Sequence, residues 1–155
     1  MQIRRYNDLD ESAVVALWRE VFPDDPPHNN PKTVIHRKGS YQRELFFVAE
    51  AEGRIIGSIM AGYDGHRGWL YTVAVQPTCR KRGVGSALVR YAEAALRALG
   101  CPKINLQGRG SNPGVAAFYQ RLGYQMEDRI SLGKRMPGAP VQVDDGDHDT
   151  GGEGG

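Results

Sequence analysis

The sequence predicts one α/β (α+β) domain, whose central sheet is mixed, mostly antiparallel and covered by helices on both faces. Its 155 residues suit a single domain of ordinary size. Hydrophobic residues make up 40% and charged residues 25% of the chain, close to the averages of globular proteins. Segments with strand-like and helix-like patterns alternate along the chain, an order typical of a sheet packed between helices.

The first segment predicts a short strand followed by a helix. The strand is expected over Ile3–Tyr6, after which Asn7 or Asp8 can cap the helix. This helix must end before Pro23, because proline cannot continue it. Its apolar positions recur three or four residues apart and form one stripe: Val14, Leu17, Trp18, Val21 and Phe22.

The middle of the chain predicts a second helix and three strands. The pair Asn30-Pro31 is typical of a cap and the first position of a short helix. Two strands are expected over Leu45–Ala51 and Arg54–Gly62, joined by a turn at Glu52-Gly53. Trp69–Val75 is another apolar run of strand length.

The rest of the chain predicts two helices with strands between and after them. The long third helix has Gly100 where a C-terminal cap belongs. A short strand is expected over Lys103–Gln107, and Asn112-Pro113 begins a helix that Gly123 ends. Tyr124–Met136 is expected to form one or two final strands.

Charge is distributed unevenly along the chain. Residues 1–136 hold all 20 Lys and Arg side chains but 13 of the 18 Asp and Glu side chains, which gives them a net charge of +7. Residues 137–155 are acidic and rich in glycine, a composition typical of a disordered tail. We therefore predict a basic domain over 1–136 with an anionic partner, and a disordered tail over 137–155.

The composition also indicates where the protein acts. No apolar run approaches the ~20 residues of a membrane span, and the N-terminus lacks the apolar stretch of a signal peptide. Cys79 and Cys101 are too few for a disulfide framework, and the Cys and His spacings do not fit a metal site. We therefore expect a cytoplasmic protein with no bound metal and no membrane partner.

The most informative segment is Val73–Leu88, which reads VAVQPTCRKRGVGSAL. A buried strand ends at a proline, and a loop with three consecutive cations and two glycines runs into a helix. The start of a helix has unpaired N–H groups and the positive end of its dipole, and Gly83 and Gly85 leave these groups open to an anion. This pattern predicts a phosphate or pyrophosphate site, and the alternative is a tight turn with a solvated basic rim. Neither the G-x-G-x-x-G nor the G-x-x-x-x-G-K-[ST] motif is present.

The same loop resembles that of a known enzyme family. Residues 80–85, RKRGVG, match the [QR]-x-x-G-x-[GA] loop of the GNAT superfamily of N-acetyltransferases, which use acyl-coenzyme A. The preceding strand YTVAVQP, the strand KINLQ, and Asn112 followed by AFYQRLGY fall in the family's order. The resemblance extends from about Ile3 to Met136. It is greatest to small single-domain bacterial members, including the ribosomal-protein N-terminal acetyltransferases.

The resemblance implies a GNAT-like fold with a binding site for acetyl-coenzyme A (acetyl-CoA). Val73 and Val75 would pair through their backbones with the pantetheine arm, which would lie like an added strand in a gap opened at a bulge. Asn112 would hydrogen-bond the pantetheine as well as cap its helix. The residues that would hold the pyrophosphate are Arg82, Gly83, Val84, Gly85 and Ser86, flanked by Arg80 and Lys81.

Tyr119 matches the position that the family uses as its general acid. When an amine attacks the thioester, sulfur leaves as a thiolate whose thiol has a pKa of about 8.5. A phenol with a pKa of about 10 is still protonated at neutral pH and can donate as the thiolate forms. Phe118 is the better core candidate on the same helix. The resemblance thus implies direct transfer of an acetyl group to a primary amine in a ternary complex.

The sequence does not specify the acceptor or the general base. The acceptor is a small amine, a protein N-terminus or a lysine, and the protein is a monomer or a homodimer. Candidates for the base are Asp64, His66 and Glu50, and none is preferred. Tyr71 could line the acceptor pocket, although strand alternation makes a core position equally plausible.

Two other functions fit parts of the sequence. A catalytically silent acyl-CoA sensor would share the same loop, but Tyr119 argues mildly against it. A nucleic-acid-binding domain would explain the positive charge. However, the cations are scattered and no recognition helix or RNA-binding signature is present, so we expect no nucleic-acid partner.

Overall fold

The structure is a computed structural model that describes residues 1–24, 26, 29–108 and 113–139. Asn112 and residues 140–155 of the predicted tail lie outside this part of the chain. The described residues divide into two compact units, 1–105 and 106–139. Within them, no helix is long and apolar enough to cross a membrane.

Five strands and four α-helices form within the described residues. The strands are β1 (Gln2–Arg5), β2 (Phe46–Ala51), β3 (Arg54–Tyr63), β4 (Gly68–Val75) and β5 (Ile104–Leu106). The helices are α1 (Glu11–Val21), α2 (Pro31–Lys38), α3 (Val84–Ala98) and α4 (Pro113–Arg121). The strands form one sheet in the order β1-β2-β3-β4-β5, and the pairs β1–β2, β2–β3 and β3–β4 are antiparallel. The predicted fold class is confirmed.

Local side-chain caps fix where the first two helices begin. Asn7 caps a short 3₁₀ turn (Asp8–Asp10) that leads into α1, and the Asp10 side chain accepts the Asn7 N–H in return at 2.9 Å. The Asn30 side chain accepts the backbone N–H of Lys32 at 3.0 Å at the start of α2. The predicted cap at Asn30 is confirmed, and Asn7 rather than Asp8 caps the 3₁₀ turn that precedes α1, which has no side-chain cap of its own.

The hairpin between β2 and β3 also follows from local chemistry. Its two turn residues, Glu52 and Gly53, have φ values of 52° and 72°. Two left-handed residues are typical of the tight turns that match the twist of a hairpin. The predicted turn is confirmed.

One face of the sheet packs against α1 and α2. Trp18 Nε1 donates a hydrogen bond of 2.8 Å to Ser58 Oγ, and both side chains are buried. This bond satisfies two polar groups in the core and ties α1 to β3. The buried residues of this layer are Tyr6, Val14, Leu17, Trp18, Ile35, Phe46, Val48, Met60 and Ala74.

The other face packs against α3. Phe47 on β2 contacts Tyr91 on α3 edge to face, with ring centroids 4.9 Å apart. At Gly57 on β3, an added Cβ would lie 2.9 Å from Leu88 Cδ1 and 3.1 Å from Val84 Cγ1. Glycine therefore allows the first turns of α3 to lie directly on β3. Helices cover both faces of the sheet, as predicted.

The final strands expected over Tyr124–Met136 are wrong, because this segment forms no strand. Its apolar side chains recur at even positions, which is why the pattern suggested a strand. Those side chains are exposed, 77% for Met126, 87% for Ile130 and 90% for Leu132. A strand needs a paired neighbour and a buried face, and the alternating pattern alone supplies neither.

Candidate active site

The basic glycine loop ends in a helix N-terminus that no side chain caps. Gly83 precedes the first turn of α3, and its carbonyl accepts the N–H of Ala87 at 3.0 Å. The N–H groups of Val84, Gly85 and Ser86 therefore have no acceptor within the helix. They lie at the positive end of the helix dipole, an arrangement that suits a bound anion.

The loop before α3 has an unusual backbone. Lys81 and Gly83 have φ values of 64° and 81°, in the left-handed region. At Lys81 this conformation costs about 1–2 kcal/mol, because its Cβ crowds the following carbonyl. An added Cβ at Gly83 would meet no atom within 4 Å, so the space beside it is open. Three exposed cations directly precede Gly83 in the loop: Arg80, Lys81 and Arg82.

The strand that leads into the loop contains a β-bulge. Two residues of β4, Thr72 and Val73, lie opposite the single residue Ile59 of β3. Thr72 has a φ of 52°, the left-handed conformation that lets the extra residue fit. The bulge that the resemblance implied in this strand is confirmed.

Beyond the bulge, β4 has backbone groups that point away from β3. The Gln76 N–H donates to the Ile56 carbonyl of β3 at 2.8 Å. Because successive residues of a strand direct their backbone groups to opposite edges, the N–H and C=O of Val75 point away from β3. Those of Val73, two residues earlier, point the same way. On that side, the Gly68 N–H donates at 2.8 Å to the carbonyl just before β5. Since β5 has three residues and β4 has eight, β5 is too short to flank β4 as far as Val75.

A cavity of about 740 Å³ lies between the sheet and helices α1 and α2. Trp18, Phe22 and Met60 contribute apolar walls. Tyr71 and Thr72 also line it, so it reaches the bulge of β4. Its volume is in the range of small-molecule sites. The charged residues that line it are Arg19, Arg37 and Lys38.

Lys38 is a buried cation in the wall of this cavity. Its Nζ donates to the Ala61 carbonyl at 2.5 Å and to the Tyr71 hydroxyl at 3.0 Å. Burial lowers the pKa of Lys38 to about 8 and raises the pKa of Tyr71 above its usual range. Tyr71 therefore belongs to the cavity rather than to the core. The sequence analysis missed Lys38, which belongs to no motif.

We expect the unfolding free energy to depend on Lys38 above pH 8. The unfolded chain keeps this proton up to about pH 10.4, whereas the native protein loses it near pH 8, so stability rises with pH between these values. In Lys38→Met this rise, about 3 kcal/mol, should be absent. Urea unfolding at pH 7 and pH 10 measures it, with the exposed Lys32→Met as the control. Parallel pH profiles for Lys38→Met and the unmodified protein would contradict the low pKa.

The three candidate bases do not line the cavity. Asp64 is exposed and accepts the backbone N–H groups of His66 and Arg67 at 2.8 and 2.7 Å, hydrogen bonds that lower its pKa and form a turn. Glu50 accepts from Arg4 Nε at 3.1 Å. In the described part of the chain, no group of three His, Cys, Asp or Glu side chains is placed to hold a metal ion.

Tyr119 lies on α4, in the second unit. Its ring makes edge contacts with Phe118 and Tyr124, with centroids 4.9 and 5.6 Å away. Burial raises the pKa of Tyr119 to about 12, because a phenolate loses its hydration there. The phenol therefore keeps its proton across the neutral range.

Most of the chain is similar to known acetyltransferases. Residues 12–124 match the profile of the Acetyltransferase (GNAT) family. The chain belongs to this family. It is 45% identical over 137 residues to an acetyltransferase of Sodalis glossinidius, a match that covers 88% of this chain and 96% of that protein. The family identified from the loop is confirmed, and the protein is an N-acetyltransferase.

Solved GNAT structures share the fold. One is AAC(6')-Iy in complex with a bisubstrate analogue that contains CoA. The two structures have a TM-score of 0.71 and 20% sequence identity, and the match covers 87% of this chain and 97% of AAC(6')-Iy. Another is the ribosomal-protein-S18-alanine N-acetyltransferase from Escherichia coli; the TM-score is 0.68 at 23% identity, with 79% and 76% of the two chains covered. At these identities the comparison establishes the fold.

The first unit of this GNAT protein brings together most of the predicted site. The edge of β4 with Val73 and Val75, the basic loop and the start of α3 follow one another without a break. The cavity reaches the same bulge through Thr72. Tyr119 belongs to the second unit, and the predicted role of Asn112 falls outside the described residues.

Proposed function

We propose that this GNAT enzyme transfers an acetyl group from acetyl-CoA to a primary amine by direct attack. One observation carries the proposal: a strand whose last residues have no described strand beside them on one edge leads through a three-cation loop into an uncapped helix. A molecule that joins an extended amide chain to a diphosphate has the complementary shape and charge. The CoA-containing analogue bound to AAC(6')-Iy, which shares this fold, supports the same donor here.

The loop and strand residues have separate roles in binding the donor. The N–H groups of Val84, Gly85 and Ser86 are available to the pyrophosphate, with Arg82 beside them and Arg80 and Lys81 at the rim. Hydrogen bonds to charged groups contribute about 1.5–3 kcal/mol each. The backbones of Val73 and Val75 can pair with the amides of the pantetheine arm in the manner of an added strand.

The reaction requires that one proton be donated to the departing sulfur and that another be removed from the amine. The thioester supplies an activated acyl carbon, and the amine nitrogen bonds to it as the carbon–sulfur bond breaks. Tyr119 gives its phenolic proton to the departing sulfur, and its raised pKa ensures that this proton is present at neutral pH. The amine nitrogen loses its own proton to a base as the amide forms.

The cavity beside the bulge is the acceptor site in this proposal. It reaches Thr72, next to the edge at which the donor would pair, and its volume suits a small amine. Known GNAT relatives include an enzyme named for a ribosomal protein and one whose ligand contains neamine. The cytoplasmic location and the choice between monomer and homodimer stay predictions from the sequence.

Two measurements test the proposal. Calorimetric titration should show binding of acetyl-CoA and no comparable binding of duplex DNA. A thiol-release assay with a panel of primary amines should show turnover that depends on both substrates. Salt-sensitive DNA binding without acetyl-CoA binding would favour a nucleic-acid protein, and acetyl-CoA binding without thiol release would favour a sensor.

A further inference from the structure

The described residues that line the acceptor cavity carry a net positive charge. Arg19 on α1 and Arg37 and Lys38 on α2 line it, and the described lining residues include no Asp or Glu. Neither Arg19 nor Arg37 forms an ion pair with any described residue, and the hydrogen-bond acceptors of Lys38 are uncharged. Arg19 and Arg37 therefore line the cavity without a described ion-pair partner, whereas the Glu44 carboxylate is the negative charge that acts on Lys38.

Three carboxylates near α1 and α2 are already paired with basic side chains. Glu11 on α1 lies 2.5 Å from the His36 Nε2 atom of α2. The remaining described pairs on this side of the sheet are Asp10 with Arg4 at 2.8 Å and Asp8 with Arg43 at 2.5 Å. Among the described residues, these three carboxylates are therefore not available to Arg19 and Arg37.

Part of the cavity wall is apolar. Trp18 and Phe22 contribute from α1, Val34 from α2 and Met60 from β3. Burying apolar ligand surface against such walls stabilises a complex by about 25 cal/mol per Å². A ligand that fits therefore combines an anionic group with an apolar group.

We propose that the acceptor is a small primary amine that carries a carboxylate and an apolar side chain, as an apolar amino acid does. This inference rests on the proposed function and adds the class of acceptor to it. Arg19 and Arg37 hold the carboxylate, since a guanidinium can donate two parallel hydrogen bonds to it. The apolar group packs against Trp18 and Met60.

The same charge disfavours polycationic acceptors. A polyamine or an aminoglycoside would bring several ammonium groups close to Arg19, Arg37 and Lys38, and like charges at short distance repel. The AAC(6')-Iy structure holds an analogue built on neamine, so this GNAT chain and that protein are expected to differ in acceptor class despite the shared fold.

Matched amine pairs test the proposal directly. L-phenylalanine, L-leucine and L-methionine are each compared in the thiol-release assay with the amine that lacks only the carboxylate, and spermidine is added as a polycation. We expect kcat/KM for at least one amino acid to exceed that of its amine by roughly tenfold or more, the effect of one or two charge-assisted hydrogen bonds. Equal or faster use of the plain amines or of spermidine would overturn the proposal.

Variants of Arg19 and Arg37 distinguish a loss of carboxylate recognition from a loss of activity toward all amines. In Arg37→Gln and Arg19→Gln, kcat/KM for the amino acid should fall roughly tenfold, whereas kcat/KM for the matching amine should change less than twofold. Lys32→Gln, on the exposed side of α2, is the control and should behave as the unmodified protein. Equal losses for both substrates would assign the arginines a structural role only.

Binding measured by calorimetry on the CoA-saturated protein distinguishes the two proposals. Thiol release with other amines but no binding of the amino acids would overturn this inference and leave the proposed function standing. Arg37-dependent binding of L-phenylalanine without thiol release from any amine would support the carboxylate site and overturn the proposed function. If the amino acids do not bind and no amine gives thiol release, both this inference and the proposed function are overturned.

Discussion

Replacing Gly83 by leucine is expected to weaken the binding of acetyl-CoA about 100-fold or more. Gly83 has a φ of 81° and lies directly before the unpaired N–H groups of Val84 and Gly85. A leucine side chain would fill the open space through which a diphosphate reaches these groups. Loss of two charge-assisted hydrogen bonds, at about 1.5–3 kcal/mol each, accounts for the expected change. Calorimetric titration with acetyl-CoA measures the dissociation constant.

Gly53→Leu is the matched control for this experiment. Gly53 also has a left-handed φ, 72°, and an added Cβ there would meet nothing within 4 Å. Both substitutions should therefore reduce stability by a similar amount, about 1–2 kcal/mol. Only Gly83→Leu should alter the dissociation constant. An unchanged affinity in a folded Gly83→Leu protein would remove the loop from the donor site.

The features predicted correctly from the sequence depend on residues close together in the chain. The pair Asn30-Pro31 begins α2, because its side chain and ring act within one turn. Glu52-Gly53 forms the hairpin turn through its own backbone angles. The loop before α3 was recognised in the same way, since its glycines, cations and helix start are contiguous.

The features that the sequence analysis missed depend on residues far apart. Lys38 contacts Tyr71 across 33 positions, and no local pattern indicates that pairing. The three cations that line the cavity come together only when α1 and α2 are packed side by side. The strands expected over Tyr124–Met136 failed for the same reason, because alternation shows which residues share a face but not whether that face has a partner.

Tyr119→Phe is expected to reduce kcat by about 10²–10⁴-fold without changing the affinity for acetyl-CoA more than twofold. The substitution removes one hydroxyl and keeps the ring, so the contacts with Phe118 and Tyr124 are retained. General acid catalysis contributes rate factors of about this size. Single-turnover acetyl transfer gives the chemical rate, and calorimetry gives the affinity. Tyr91→Phe, which removes an exposed phenol from α3, is the control and should leave both values unchanged.

The pH dependence distinguishes a proton donor from a residue that only shapes the site. Because burial raises the pKa of Tyr119 to about 12, the phenol is protonated at every pH below that value. In the unmodified protein, kcat should therefore show no alkaline fall from this group between pH 8 and pH 10. Tyr119→Phe should lower kcat by the same factor across that range, because it removes a proton that is always present. Unchanged turnover at every pH in the variant would discard the acid role, and a fall near pH 9 that the variant abolishes would contradict the raised pKa.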